Sequence, residues 1–343
     1  MSASWCVADD NLFYHACPHV RMTGDLDRDR ITAFRLGFLQ RTARPAYRFM
    51  SFNGAIIIVT FNSGLCLPRC LASIAEHAPD AAIVVVDNAS ADGSTRVAAL
   101  RHPRVKFLVN SRNVGFATAV NQGLATVSSE RVLLLNPDCF LTRGAVETLE
   151  EELSRHPECA IAGPQILNED GSVQGSARGD PTLFTGLFGR TTLFTRLFPR
   201  SRVARRNVRT DVEHARRGES FAVDWVSGAC VLARRASLAA VGGFDERYFL
   251  YWEDADLCRR LRAAGQTVRY VPASTVVHSG GASSRVTRRP ATRAFHESAY
   301  TYYSTYVART AVERGIARVL LVLRCRWKLL AEAVKDNETP RSK

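Results

Sequence analysis

The sequence contains no uninterrupted apolar stretch of about 18 residues, the length that a helix needs to cross a bilayer. Residues 1–50 also lack an apolar core followed by a cleavage site, so no secretory signal peptide is predicted. The nine cysteines are scattered and form no CxxC pair, which disfavours a disulfide framework. These absences predict a cytoplasmic protein with reduced thiols and no spanning helix.

The charge balance of the chain is strongly basic. A net charge of +13 over 343 residues predicts an anionic partner, which is nucleic acid, acidic lipid or a phosphorylated substrate. Much of the excess lies in residues 196–217 and 285–343, so the remainder is less basic than the average. The hydrophobic content of 46% is typical of a globular protein.

From residue 55 onward, short apolar runs alternate with amphipathic segments of helical period. Strands are predicted over 55–61, 82–86, 105–110 and 131–135, and helices over 67–77, 94–101, 115–126 and 143–156. Strands that alternate with helices of this length form βαβ units. We therefore expect an α/β fold with an open, mostly parallel sheet flanked by helices.

The second half of the chain is less regular. Strands are predicted over 159–167, 221–232, 267–271 and 274–278, and helices over 234–241, 253–263 and from 290 to about 334. Residues 182–217 are predicted to form a long loop or helical insert. The expected organisation is a poorly ordered extension over 1–50, unless translation starts at Met50, a main domain over 51–285 and a basic helical segment over 286–343.

Acidic residues follow two of the predicted strands. Asp87 follows the run 82–86, and Asp138 closes the Asn-Pro-Asp motif after the strand over 131–135. The carboxyl ends of parallel strands are where an open sheet places its ligand. Asp138 is a candidate ligand of a Mg²⁺ or Mn²⁺ that bridges a diphosphate, and His278 is a candidate second ligand. Asp87 either accepts a hydrogen bond from a pyrimidine imide or forms a turn.

Two further motifs begin predicted helices. Gly115 permits close approach of the backbone to a ligand, and the following helix N-terminus favours phosphate, although an ordinary cap is the alternative. Three carboxylates open the helix over 253–263, more than the free N–H groups of a first turn require. Asp256 is spaced for ion pairs with Arg259 and Arg260, which leaves Asp254 as the candidate general base.

These motifs together resemble those of the inverting family 2 glycosyltransferases with a GT-A fold. Among these, they are most similar to the bacterial rhamnosyltransferases of cell-wall and O-antigen assembly. The resemblance covers about residues 54–285 and is carried by IIIVTFNS, VVVDNASADGS, RNVGFATAVNQG, LLLNPD, VSGACVLARR, GGFDERYFLYWEDADLCRRL and VVHSGGAS. It implies a sheet with a Rossmann-like nucleotide-binding half, an acceptor half and C-terminal helices.

The resemblance also implies roles for individual residues. Those expected to hold the nucleotide are Thr60, Asn62, Asp87, Asn113 and Gly115. The expected catalytic base is Asp254, and the expected metal contacts are Asp138 and His278. Those expected to contact the acceptor or to support the base are Trp225, Ser227, Gly228, Trp252 and Glu253. The family's metal motif usually begins with aspartate, and this chain has Asn136 there.

The implied reaction moves a sugar, L-rhamnose from dTDP-rhamnose or another hexose from a UDP or dTDP donor, to a hydroxyl of a lipid-linked or polysaccharide acceptor. A positioned carboxylate takes the acceptor proton, and a Mg²⁺ or Mn²⁺ cofactor neutralises the leaving diphosphate. One displacement inverts the anomeric centre, so no second catalytic carboxylate is needed.

Two other classes of function are disfavoured. A nucleotidyltransferase needs a glycine-rich basic loop after the first strand, and residues 60–65 have neither a glycine cluster nor a lysine. A non-catalytic adaptor for nucleic acid or membrane leaves the carboxylates unexplained, because carboxylates repel phosphates. No nucleic acid partner is expected. The basic aromatic stretches 183–217 and 316–334 either bind the inner face of the cytoplasmic membrane at its anionic surface or pack against protein.

Overall fold

The computed structural model describes residues 52–181, 217–280 and 288–338, and within the last range it describes the side chains of 289–333. The predictions for residues 1–50 and for nearly all of 182–217 therefore lie outside the described residues. All described residues belong to one compact unit, Phe49–Lys343.

Four parallel strands form the first half of the sheet. They are β1 (Ala55–Thr60), β2 (Ala82–Asp87), β3 (Lys106–Val109) and β4 (Arg131–Leu135), in the order β3-β2-β1-β4. The intervening and following helices are α1 (Cys66–His77), α2 (Ser94–Arg101), α3 (Phe116–Leu124) and α4 (Ala145–Arg155). All eight elements lie within two residues of their predicted bounds.

The sheet continues beyond β4 in the order β10-β6-β11-β5, with β8 paired to β11. These strands are β5 (Cys139–Leu141), β6 (Cys159–Leu167), β8 (Phe221–Ala222), β10 (Cys230–Arg234) and β11 (Thr267–His278). Strands β6 and β11 share the direction of β1 to β4, whereas β5, β8 and β10 run against them. The prediction of a mostly parallel sheet is therefore confirmed for the described residues.

Two further strands and four helices surround this half. Strands β7 (Ala177–Arg178) and β9 (Trp225–Val226) form a small antiparallel sheet. The helices are α5 (Arg235–Ala240), α6 (Glu253–Ala263), α7 (Arg288–Tyr306) and α8 (Ala311–Glu338). Within the described ranges, no helix combines the length and the apolar character needed to cross a membrane.

The single strand predicted over 221–232 is wrong, because the chain forms three short strands there. After β8 leaves β11, the Asp224 N–H donates to the Arg178 carbonyl at 3.1 Å, and β9 pairs with β7. The chain then returns to the main sheet as β10. Conversely, the two strands predicted over 267–278 form one strand, β11, with an irregularity in its pairing between Val271 and Thr275.

The single helix predicted after Pro290 is also wrong, because α7 ends at Tyr306 and α8 begins at Ala311. The Glu313 side chain accepts hydrogen bonds from the Arg309 and Thr310 N–H groups at 2.6 and 3.1 Å. The Thr310 hydroxyl accepts the Glu313 N–H at 3.1 Å. This reciprocal arrangement is a capping box, which starts a new helix.

The hydrophobic core consists of two layers, one on each face of the sheet. Ile56 and Ile58 of β1 pack into one layer and Ile57 packs into the other, since successive strand residues face opposite sides. All three are fully buried, and each contributes roughly 1.5–3 kcal/mol to folding. The seven described cysteines are free thiols, and six of them are buried. This packed sheet holds the loops at the strand ends in place.

Candidate active site

Three of the predicted nucleotide-binding residues lie at the carboxyl ends of β1 and β2 and in the turn after β1. Thr60 pairs with Asp87 in the parallel ladder, and both are buried. The Asn62 N–H donates to the Ser90 hydroxyl at 2.9 Å, and the Asn62 side-chain oxygen accepts the Ala91 N–H at 2.8 Å. Asp87 Oδ1 accepts the Ser90 N–H at 2.9 Å and its hydroxyl at 2.6 Å. Asp87 thus makes the turn contacts that were predicted as the alternative to nucleotide binding. Its contact with nucleotide stays a prediction.

The other two predicted nucleotide-binding residues lie in the turn before α3. Gly115 has a φ of +88°, and a Cβ there would lie 2.6 Å from the Phe249 carbonyl oxygen. Asn113 Oδ1 accepts the Gly115 N–H at 2.9 Å, and the Phe116 N–H donates to the Phe249 carbonyl at 2.7 Å. The observed close approach at Gly115 is therefore to Phe249, and it joins this turn to the segment that leads to Asp254.

Asp138 and His278 lie together although they are 140 residues apart in the chain. Asp138 Oδ1 is 3.1 Å from His278 Nε2, and both side chains are mostly buried. The Gln174 amide nitrogen donates to the His278 carbonyl at 2.9 Å, so its oxygen, 3.1 Å from Nδ1, accepts from that nitrogen. With Nδ1 donating to Gln174, the ring directs its Nε2 at Asp138. A proton or a cation therefore belongs between the two side chains.

This Asp–His pair is also the candidate metal site. In the described ranges, no group of three or more histidine, cysteine, aspartate or glutamate side chains could hold a metal by itself. Mg²⁺ is commonly bound by one or two carboxylates together with substrate phosphates rather than by an all-protein cage. The pair fits a cation that is shared with the substrate. Gln174, which orients His278, was not among the predicted site residues.

The segment before α6 has an unusual backbone. Tyr251 and Trp252 have φ values of +69° and +72°, in the left-handed region that large side chains rarely adopt. Such a conformation costs about 1–3 kcal/mol per residue. The Trp252 ring packs against Phe295 and Tyr302 of α7, with ring centroids 5.7 and 5.5 Å apart. This aromatic packing stabilises the turn that immediately precedes Glu253, the first residue of α6.

Asp254 is held by backbone groups on two elements. Its Oδ2 accepts the Gly228 N–H at 3.1 Å, and its Oδ1 accepts the Ala255 N–H at 2.8 Å. The neighbouring Glu253 is buried, and its Oε2 has no hydrogen-bond partner within the described residues. Burial, followed by the adjacent Asp254 carboxylate, raises the pKa of Glu253 well above its ordinary value. Burial thus favours the neutral form of Glu253, and Asp254 stays the predicted base.

Asp256 has a structural position. It is fully buried, and it accepts hydrogen bonds from Arg260 Nε and from the Tyr306 hydroxyl, each at 2.7 Å. The predicted structural ion pair of Asp256 is confirmed and is made with Arg260, whereas Arg259 lies 3.6 Å from Asp180. Since Tyr306 lies on α7, Asp256 ties the helix that carries Asp254 to the C-terminal helices.

A cavity of about 430 Å³, here called the main cavity, brings most of these groups together. The predicted residues in its walls are Trp225, Ser227, Gly228, Trp252, Glu253, Asp254 and His278. The predicted nucleotide-binding residues are not in its walls. Phe295 and Arg178 also line the cavity and were not predicted. Phe295 and Tyr302 are seven residues apart on one face of α7, a spacing that is visible in the sequence.

Polar side chains lie at and beyond the carboxyl ends of the parallel strands, and the neighbouring main cavity contains a carboxylate. These two features place the protein in the class of ligand-binding α/β proteins. Comparison with known proteins identifies the particular family. Residues 55–215 match the family described as "Glycosyl transferase family 2". The chain is 36% identical over 262 residues to the N-acetylglucosaminyl-diphospho-decaprenol L-rhamnosyltransferase of Mycobacterium tuberculosis, a match that covers 72% of this chain and 82% of the relative.

Two more similarities agree with this match. A stretch of 56 residues is 48% identical to rhamnosyltransferase WbbL of Escherichia coli and covers 16% of this chain and 21% of that protein. The crystal structure of GalNAc-T7 with UDP, GalNAc and Mn²⁺ has a TM-score of 0.51 at 16% identity, over 74% of this chain and 53% of that chain. The chain belongs to glycosyl transferase family 2. The predicted GT-A-type fold and the predicted activity class, glycosyltransferase, are confirmed.

Proposed function

We propose that this glycosyltransferase moves L-rhamnose from dTDP-rhamnose to a hydroxyl of N-acetylglucosamine carried on a lipid diphosphate, with inversion at the anomeric carbon. The observation that carries the proposal is Asp254, fixed by the Gly228 and Ala255 N–H groups in the wall of the main cavity. The sugar and acceptor are those in the name of the mycobacterial relative, which shares 36% identity over most of both chains.

The proposed reaction uses Asp254 as the general base. Its carboxylate takes the proton from the acceptor hydroxyl as that oxygen attacks the anomeric carbon, and the bond to the nucleotide diphosphate breaks. Burial raises the pKa of the neighbouring Glu253, which favours a neutral side chain beside the proposed base. The aromatic rings of Trp225 and Trp252 in the same walls offer flat apolar surfaces for a sugar ring.

The donor is proposed to lie beyond the carboxyl ends of β1 and β2, in contact with Thr60, Asn62, Asp87, Asn113 and Gly115. Asp138 and His278 would hold the divalent cation, Mg²⁺ or Mn²⁺, next to the diphosphate. When bound, this cation stabilises the negative charge of the leaving diphosphate. His278 is fixed by Gln174 and lines the main cavity, so the proposed donor and acceptor sites meet at this residue.

A panel of nucleotide sugars tests the proposed function. With a short-chain N-acetylglucosaminyl diphosphate lipid as acceptor and Mn²⁺ present, we expect dTDP-rhamnose to give the fastest release of dTDP and a rhamnosylated product. EDTA should abolish that release, because the proposed cation is shared with the donor. Faster transfer from a UDP-hexose would reject rhamnose as the donor sugar. Full activity in EDTA would reject the proposed cation.

The enzyme is further proposed to act at the cytoplasmic membrane as a peripheral protein. Eight of the fifteen exposed large hydrophobic side chains in the described part of the chain belong to α8. Seven of these follow one face at helical spacing: Val312, Ile316, Val319, Leu320, Leu323, Trp327 and Leu330. The same helix is rich in arginine and lysine. An apolar stripe on a basic helix is suited to lie in the interface of an anionic membrane.

Sedimentation with anionic vesicles tests this surface. The double variant Leu323→Gln/Trp327→Gln should bind such vesicles at least about tenfold more weakly, since it removes two large apolar contacts. Both side chains are more than half exposed, so folding should be unaffected. Leu100→Gln, at the 81% exposed residue of α2, is the matched control and should bind as the wild type does. Equal binding by all three proteins would favour packing against protein.

A further inference from the structure

A cavity of about 500 Å³, here called the arginine cavity, is formed by α7 and α8. Three guanidinium groups lie in its walls, that of Arg293 on α7 and those of Arg318 and Arg326 on α8. Among the described residues, none lines both this cavity and the main cavity, so the arginine cavity is separate from the proposed transfer site. The proposed transfer reaction therefore does not account for these charges.

The walls of the arginine cavity carry an excess of positive charge. The three guanidiniums share the walls with one carboxylate, that of Glu297, and none of them forms an ion pair with a carboxylate among the described residues. Burial lowers the pKa of His296 and raises the pKa of Cys325, which favours the neutral form of both wall groups. The Arg318 guanidinium lies 5.5 Å from the centroid of the Tyr300 ring, which holds its charge at the cavity. Guanidiniums in such excess are suited to an anionic ligand.

The arginine cavity borders the exposed apolar stripe of α8. Val322 lies in its walls and is 43% exposed, and it is three residues after Val319 of the stripe. Arg326 is three residues after Leu323 of the stripe, so both wall residues are helical neighbours of the stripe. A molecule whose apolar part lies along the stripe would therefore place a polar end at the guanidiniums. This arrangement favours an anionic lipid over a soluble anion.

We propose that the arginine cavity binds the phosphate of an anionic phospholipid headgroup, with Arg293, Arg318 and Arg326 as its contacts. The inference rests on the proposed membrane association of α8 and adds a defined site to it. The acyl chains would lie along the exposed stripe. The guanidiniums would donate to the phosphate oxygens, since the guanidinium fork matches the geometry of phosphate. The enzyme would then recognise one lipid group at close contact, in addition to the general attraction between its basic surface and the membrane.

The experiment is sedimentation with phosphatidylcholine vesicles that contain a minor fraction of phosphatidylglycerol, at about 1 M salt, where the screening length falls to about 3 Å. Arg318→Gln/Arg326→Gln should bind at least about tenfold more weakly than the wild type, because charge-assisted hydrogen bonds are lost. The matched control is Arg314→Gln/Lys328→Gln, which removes two charges from α8 outside the arginine cavity. It should bind within about twofold of the wild type, because salt screens the general attraction.

Glu297→Gln tests the site in the opposite direction. The substitution removes the carboxylate in the walls, so this variant should bind the same vesicles more tightly than the wild type at high salt. Glu297, Arg318 and Arg326 are exposed, so folding should be unaffected, and thermal unfolding of each variant checks this. Transfer in phospholipid-free detergent should equal that of the wild type for Arg318→Gln/Arg326→Gln. Loss of transfer there would place these arginines in the reaction and overturn the proposal.

Equal binding of the two double variants at high salt would show that only the general charge of α8 acts, and it would overturn the headgroup site. Calorimetry separates lipid from free phosphate. Monomeric dihexanoyl phosphatidylglycerol should bind more tightly than inorganic phosphate, and equal affinities would reject the lipid. If the headgroup site fails while Leu323→Gln/Trp327→Gln still weakens vesicle binding, the proposed membrane association stands. A wild type that binds no vesicles at low salt rejects both, and sugar transfer in detergent still tests the proposed reaction.

Discussion

Asp254→Asn should lower the rate of sugar transfer at least about 10²-fold while leaving donor affinity close to that of the wild type. Asparagine keeps the shape of the side chain and one oxygen that can accept an N–H hydrogen bond, but its amide cannot take the acceptor proton. The turnover number with saturating dTDP-rhamnose and the dissociation constant of dTDP, measured by calorimetry, separate these two effects.

Glu253→Gln is the matched variant for this prediction. Because burial favours the neutral form of Glu253, a neutral amide should lower the rate by less than about tenfold. Near-normal turnover of Asp254→Asn together with a collapse of Glu253→Gln would assign the base to Glu253. A large loss of dTDP affinity in Asp254→Asn would show that the residue acts in donor binding and not in proton transfer.

Asp138→Ala should weaken dTDP binding in the presence of Mn²⁺ by at least about tenfold. The variant removes the carboxylate charge of the proposed cation site, whereas His278→Ala removes a neutral ligand and should have the smaller effect. Calorimetric titrations with dTDP, run once with Mn²⁺ and once with EDTA, measure both variants.

The titration in EDTA is the internal control for the metal assignment. Without a cation, Asp138→Ala should bind dTDP no more weakly than the wild type, because the carboxylate then only repels the diphosphate. Asp170→Ala, in an exposed loop where Asp170 contacts only its near neighbour Ser172 among the described residues, should bind as the wild type does. Unchanged affinity of both Asp138→Ala and His278→Ala in Mn²⁺ would show that the cation site is elsewhere.

The sequence predicts the first half of the fold well because each strand there is a continuous apolar run between turns. It fails between residues 221 and 232, where three short strands belong to two different sheets. The pairing of Trp225 with Arg178 depends on residues far apart in the chain, which no local pattern contains. The start of α8 was predictable, because Thr310 and Glu313 have the spacing of a capping box.

The candidate site, like the fold, was predictable only in part. The rule that strand ends converge predicts that Asp138 and His278 lie close together, and they are in contact. The role of Gln174 was not predictable, since it depends on how one turn folds back onto the end of β11. Phe295 lines the main cavity from α7, a helix outside the recognised motifs. Its spacing of seven residues from Tyr302 is the sequence signal that indicates a shared buried face.

The antiparallel pairing of β4 with β10 sets the spacing between the two halves of the candidate site. Leu135 is paired with Cys230, and the Asn136 N–H donates to the Ala229 carbonyl at 2.8 Å. The strand that leads to Asp138 and the strand that follows the Gly228 anchor of Asp254 are therefore joined by main-chain bonds that do not depend on side-chain identity. Changes in the loops or the C-terminal helices would therefore leave the separation between Asp138 and Asp254 set by the main chain of the sheet.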